Sequence, residues 1–212
     1  MKNIKKALVS LTAAAVSAAS FCAIPSASAE ISGKYNTYGY YFEVPENTYV
    51  ATCNANLSYN PNNFEFAKSR KGDLGGTFSV SNVGVNETLK RIYVEYNNSS
   101  PSAKEGYLGF VALRTNSSSA PSFNVTLIKN DRNNTLATST VKATRVLMGD
   151  ANQDGRVTIA DATAIMQALS NPNDYKLSKK GAFAADVNFD GGVTSADASI
   201  IQQLDAGLIN GF

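Results

Sequence analysis

The sequence predicts a mainly β module, folded as a jelly-roll-like sandwich, followed by a small all-α module, and three observations predict it. From Tyr38 to about Leu147 apolar residues recur with period two, the spacing of half-buried strands, and turn-rich pieces interrupt them. After Gly149 the apolar spacing becomes helical. A twelve-residue segment rich in Asp, Asn and Gly then occurs twice, 36 residues apart.

The chain opens with three lysines, Lys2, Lys5 and Lys6, and an Ala-rich apolar stretch from Ala7 to Ile24. It reaches Ala27-Ser28-Ala29 just before Glu30, the layout of a secretory signal peptide with a small-residue cleavage site. Pro25 and the Ala/Ser content argue against a membrane anchor there, and Phe21 before Cys22 argues against lipid attachment. No later segment approaches the ~20 apolar residues needed to cross a bilayer. The expected division is therefore a signal peptide over 1–29, a β-sandwich over 30–148 and a helical module over 149–212, secreted and extracellular with no membrane span.

Loss of residues 1–29 removes three lysines and no acid, so the formal charge of +2 becomes −1. Lys68, Arg70 and Lys71 form the only basic cluster of the sandwich, expected as a solvated loop, and no nucleic acid is expected as a partner. Only Cys53 survives cleavage, so no internal disulfide is available. There is no His, which excludes the usual serine or cysteine triads and His-ligated metal sites.

Within the sandwich, Tyr49, Ala51, Cys53, Ala55 and Leu57 alternate with Val50, Thr52, Asn54 and Asn56, placing Cys53 inward as an inert structural thiol. Ile92, Val94 and Tyr96 repeat the pattern, as do Leu108, Phe110 and Ala112, then Phe123, Val125 and Leu127. Turn-rich pieces at Asn60–Asn63, Gly72–Gly76, Asn97–Ser102 and Asn116–Ser122 separate them. Seven to nine short strands at this spacing read as a sandwich. Past Gly149, Ala162, Ile165, Met166 and Leu169 form one helical stripe and Ile200, Ile201 and Leu204 another. A third helix is expected over Lys179–Ala185, with Ser178 as its cap.

The repeat carries the chemistry. Asp150 to Gln167 and Asp186 to Gln203 agree at eleven of eighteen positions, the mark of an internal duplication. Calcium takes six to eight oxygens at about 2.3 to 2.6 Å from a loop that folds tightly round the ion. Asp150, Asn152 and Asp154 would supply side-chain oxygens at loop positions one, three and five, with Gly155 allowing the turn. The Arg156 carbonyl would serve position seven, Thr158 position nine and Asp161 position twelve. Asp186, Asn188, Asp190, the Gly192 carbonyl, Thr194 and Asp197 repeat the set, so two calcium ions are expected. Position twelve carries Asp where the usual loop has Glu, which asks for a slightly tighter loop. The absence of His and, after cleavage, of a second Cys disfavours zinc, and the oxygen count disfavours magnesium.

Two such loop-helix units without a leading helix, joined by about twenty residues, resemble a type I dockerin, the plug by which cellulosome components bind cohesin modules on scaffolding proteins. The resemblance covers Gly149 to about Ile209. It implies that Ile159, Ala160, Met166 and Gln167 in the first unit, and Ser195, Ala196, Gln202 and Gln203 in the second, contact the cohesin. Ile159 and Met166 also fit the core stripe of their own helix. The two units differ at these positions, apolar Ile159 and Met166 against polar Ser195 and Gln202, which sets them apart from dockerins that bind in two equivalent orientations. Because the module is small, calcium binding and folding are expected to be coupled, with chelation melting 149–212 and sparing the sandwich.

Tyr59-Asn-Pro-Asn-Asn-Phe-Glu-Phe66, Lys104 to Arg114 and Ser122 to Ile128 resemble cohesin segments, with Asn60 in place of that family's Asp. This implies a cohesin-like socket for another protein's dockerin, making the chain a small non-catalytic adaptor, a scaffoldin held at the cell surface only through its complex. A polysaccharide-binding module is the alternative, with Tyr35, Tyr38, Tyr40, Tyr41, Tyr49, Tyr93 and Tyr107 as candidate platform residues. A glycan-active enzyme is the third reading, and no pair among the sandwich's scattered acids points to catalytic residues.

Overall fold

The computed structural model describes residues 34–117 and 119–212, so the expected signal peptide lies outside the described residues. Eight strands come first: β1 (Asn36–Val44), β2 (Thr52–Tyr59), β3 (Phe64–Lys71), β4 (Thr77–Asn86), β5 (Leu89–Asn97), β6 (Gly106–Thr115), β7 (Asn124–Lys129) and β8 (Lys142–Leu147). Three helices follow: α1 (Ile159–Ser170), α2 (Lys179–Ala185) and α3 (Ser195–Asp205). The strands form two four-stranded sheets, ordered β3-β6-β1-β8 and β4-β5-β2-β7, and the strand pairs are antiparallel.

Between the sheets lies the core that period two requires, with Tyr40, Phe42 and Val44 of β1, Leu57 of β2, Ile92 and Val94 of β5 and Val111 and Leu113 of β6. Cys53 belongs to it, fully buried, and burial pushes its thiol up to about 12. Tyr49, expected in the same inward series, lies before β2 begins and is exposed, because that strand starts only at Thr52.

The central strands β1 and β6 of the β3-β6-β1-β8 sheet are buried on both faces. A second core joins Tyr41, Phe110, Ala112, Val146 and Met148 to Ala162 and Ile165 of α1, Ala184 and Ala185 of α2, Val187, Phe189, and Ile201 and Leu204 of α3. Tyr41 stacks on Phe183 at 3.7 Å between ring centroids and donates its hydroxyl to the Phe183 carbonyl at 3.0 Å. The Phe110 and Phe189 rings lie 5.5 Å apart. Gly39 permits this closeness, since a Cβ there would sit 2.7 Å from both Met148 Sδ and the Phe110 ring. Tyr41, Phe110 and Met148 are each at most 1% exposed, and each burial of this kind contributes about 2 kcal/mol.

Polar contacts close the rim of that interface. The Phe212 carbonyl accepts from Thr37 Oγ1 at 3.1 Å and from Arg114 Nε at 2.7 Å, and Tyr35 N–H donates to the Asn210 carbonyl at 2.9 Å. Gly149 N–H donates to the Ala184 carbonyl at 2.7 Å just past β8. The helices are thus seated on the sandwich, with no free linker between Leu147 and the first loop. Among the described residues no helix is long and apolar enough to cross a membrane.

Candidate metal centres and recognition face

Each repeat folds as a loop that leads into a helix, and its backbone explains its composition. Gly155 and Gly191 hold φ of 88° and 105°, a region that side chains with a Cβ rarely adopt. Gly155 N–H then donates to Asp150 Oδ2 at 3.1 Å, and Gly191 N–H to Asp186 Oδ2 at 3.0 Å. Asp154 N–H meets Asn152 Oδ1 at 2.9 Å and Asp190 N–H meets Asn188 Oδ1 at 2.8 Å, so positions one, three and five turn toward one centre.

Asp161 and Asp197 are fully buried and close the loops. Asp161 Oδ1 accepts Asn152 N–H at 3.1 Å and its Oδ2 accepts Thr158 N–H at 2.9 Å. Asp197 does the same for Asn188 at 3.2 Å and Thr194 at 2.9 Å. Thr158 and Thr194 in turn cap α1 and α3, accepting from Ala160 and Ala196 N–H at 3.3 and 3.2 Å. One carboxylate therefore both ends each loop and starts each helix.

The loops fit a cation bound by oxygen. Asp150 Oδ1 is buried with no hydrogen-bond partner, an orphaned anionic oxygen that a cation would satisfy. Burial raises the Asp150 carboxyl above the ordinary range, countered in part by the Gly155 N–H. Among the described residues no three His, Cys, Asp or Glu side chains converge into a ready-made metal cluster. Donors of the set named above are mixed instead, with an amide and a hydroxyl beside the carboxylates and a main-chain carbonyl, as calcium accepts.

The second loop differs in its surroundings. Phe189 at its fourth position packs on Phe110, where the first loop has exposed Gln153. Arg70 of β3 reaches across from the sandwich, its Nη1 2.9 Å from Asp186 Oδ2. Burial raises the Asp186 carboxyl, and Arg70 draws it back. This corrects the expectation for the basic cluster: Lys68, Arg70 and Lys71 lie on a strand, and Arg70 is a buried-interface partner rather than a solvated charge. No sequence signal identified it, because its partner lies 116 residues away.

All eight residues expected to meet a partner are exposed: Ile159, Ala160, Met166 and Gln167 on α1, and Ser195, Ala196, Gln202 and Gln203 on α3. Ile159 is 51% and Met166 45% exposed, so neither packs in the core of its own helix. Ala162, Ile165, Ala198, Ile201 and Leu204 on the opposite faces are buried against the sandwich and each other. Of the seven candidate platform tyrosines, only Tyr49 and Tyr93 are exposed, while Tyr40 and Tyr41 are at 1%.

Residues 148–204 match the family model for the dockerin type I domain. That match makes the C-terminal helical region a type I dockerin, a class of domain that is generally calcium-binding. No curated protein matches the chain. Among solved structures, a non-cellulosomal cohesin from the hyperthermophilic archaeon Archaeoglobus fulgidus is similar at 18% identity and a TM-score of 0.36, over 50% of this chain and 74% of that one.

Proposed function

Because residues 148–204 are a type I dockerin domain, we propose that the chain is a secreted, non-catalytic component of a cellulosome-type complex, attached to a scaffold's cohesin in a calcium-dependent way. The observation that carries this is the division of α1 and α3 into two faces. Their inner faces are consumed by the chain's own sandwich, and the outer faces keep Ile159, Met166 and their neighbours open to a partner. An exposed apolar pair on a helix otherwise buried on one side is what a hydrophobic contact with another protein requires.

In this proposal two calcium ions are held, one by Asp150, Asn152, Asp154, Arg156, Thr158 and Asp161, the other by Asp186, Asn188, Asp190, Gly192, Thr194 and Asp197. Their role is structural. The ionised loops repel themselves, and neutralising them lets Asp161 and Asp197 hold both loop and helix start, which orients the outer face.

The sandwich is proposed as a cohesin-like socket for another protein's dockerin. The outer face of its β3-β6-β1-β8 sheet is already covered. Any socket on a sheet face therefore uses the β4-β5-β2-β7 sheet, where Tyr93 lies between Asn56 and Ser81 in register. The test is capture of a purified type I dockerin by residues 30–212 carrying Ile159→Asp and Met166→Asp, which disable the chain's own plug. Capture that survives these changes and is lost on Tyr93→Asp supports the socket. Absence of capture by every dockerin tried, with polysaccharide retarding the chain in a native gel, supports the sugar-binding alternative instead.

A further inference from the structure

The two loops share a hydrogen-bond pattern but not an electrostatic setting. In the first, Asp150 Oδ2 takes the Gly155 N–H and Oδ1 has no partner. In the second, Asp186 Oδ2 takes the Gly191 N–H and also the guanidinium of Arg70 at 2.9 Å, while Oδ1 takes the Asp190 N–H at 3.1 Å. The carboxylate that opens the second loop is thus fully partnered without any ion. Arg156, the arginine within the first loop, is exposed and makes no ion pair among the described residues.

Each loop offers three carboxylates, so Arg70 removes one unit of negative charge from the second loop only. Its side chain is 22% exposed, and Asp186 is 6% exposed, so solvent screens the pair weakly. Calcium affinity in such loops follows the charge count of the site and the freedom of its ligands. Both terms act in one direction here: a fixed cation repels a second cation, and a ligand already bonded is less available.

We infer that Arg70 of the sandwich lowers the calcium affinity of the second loop, so that the loops load in order, the first before the second. This rests on the two-ion proposal above. Coupling of this kind is reciprocal, so an ion in the second loop loosens the Arg70 bridge by the same factor. Occupancy of that loop is thereby tied to how firmly the helices sit on the sandwich.

The experiment is calorimetric titration of calcium into residues 30–212, freed of metal, as wild type and as Arg70→Gln and Arg70→Lys. Wild type is expected to show two classes of site about tenfold apart. Asp154→Ala removes the tighter class and Asp190→Ala the weaker, which identifies them. Arg70→Gln is expected to tighten the weaker class about fivefold or more and leave the tighter one unchanged. Arg70→Lys, which keeps the charge, is expected to leave the weaker class weak. Two sites that Arg70→Gln leaves unchanged, or weakens, overturn this inference alone. A wild-type chain that takes up no calcium overturns the two-ion proposal and this inference with it.

Discussion

At Asp150 a carboxylate oxygen is buried without a partner, and its cost shows as a raised pKa. The folded value lies above the unfolded one. Asp150 therefore contributes stability to the metal-free fold that is fully present below its unfolded pKa, about 4, and is lost as pH rises through the raised value. With the calcium ion proposed above in place the sign reverses, because the ionised form would be the ligand. Asp150→Asn is thus expected to raise the melting temperature in chelator at pH 7, by an amount that vanishes on acidification, and to lower it in calcium. Thermal melts of both proteins in chelator and in calcium, at a series of pH values, check this.

At the scale of elements, the start of α2 was legible at Ser178 because capping chemistry is local, whereas Thr158 and Thr194 were read only as loop ligands. Thr158, Ser178 and Thr194 each stand one residue before a helix and accept a backbone N–H, as capping rules anticipate. Thr194→Ala is expected to cost at least about 1 kcal/mol, the loss of the cap added to that of a proposed calcium ligand, read from denaturant unfolding of the calcium-loaded chain. The strands were legible from period two, but β1 and β6 carry a further signal. Tyr40, Tyr41 and Phe42 are all buried, as are Leu108 through Leu113. Such runs without polar alternates mark strands covered on both faces. The period-two reading of Leu108, Phe110 and Ala112 passed over that signal, and Phe110 and Ala112 belong to the second core; the identity of its cover was not legible either, because Phe183 and Phe189 meet Tyr41 and Phe110 only through the tertiary fold. The same limit hid Arg70, whose strand reads as a basic cluster until Asp186 is placed beside it.

Across the whole molecule, the sandwich and the dockerin share one core. Period two and helical spacing located both halves, and the duplicated loop located the candidate ligands; the seat between them depends on contacts far apart in sequence. Chelation is therefore expected to uncover Tyr41, Phe110 and Met148 and to destabilise the sandwich too, in place of the independent melting that the chain order alone suggests. Calorimetry in calcium is expected to show one joint transition. Phe189→Ala is expected to cost about 3 kcal/mol and to separate that transition into two. Two well-resolved transitions in the wild-type chain would count against a shared core.

The proposed function rests on a calcium-dependent plug whose open face is α1 and α3. The most direct test is binding of immobilised residues 30–212 to a panel of purified type I cohesins, in calcium and in chelator, beside the Ile159→Asp/Met166→Asp double variant. With the proposed function, at least one cohesin is captured in calcium, and that capture is lost in chelator and weakened at least about a hundredfold by the double variant. Capture that persists in chelator, or that the double variant leaves unchanged, would contradict it.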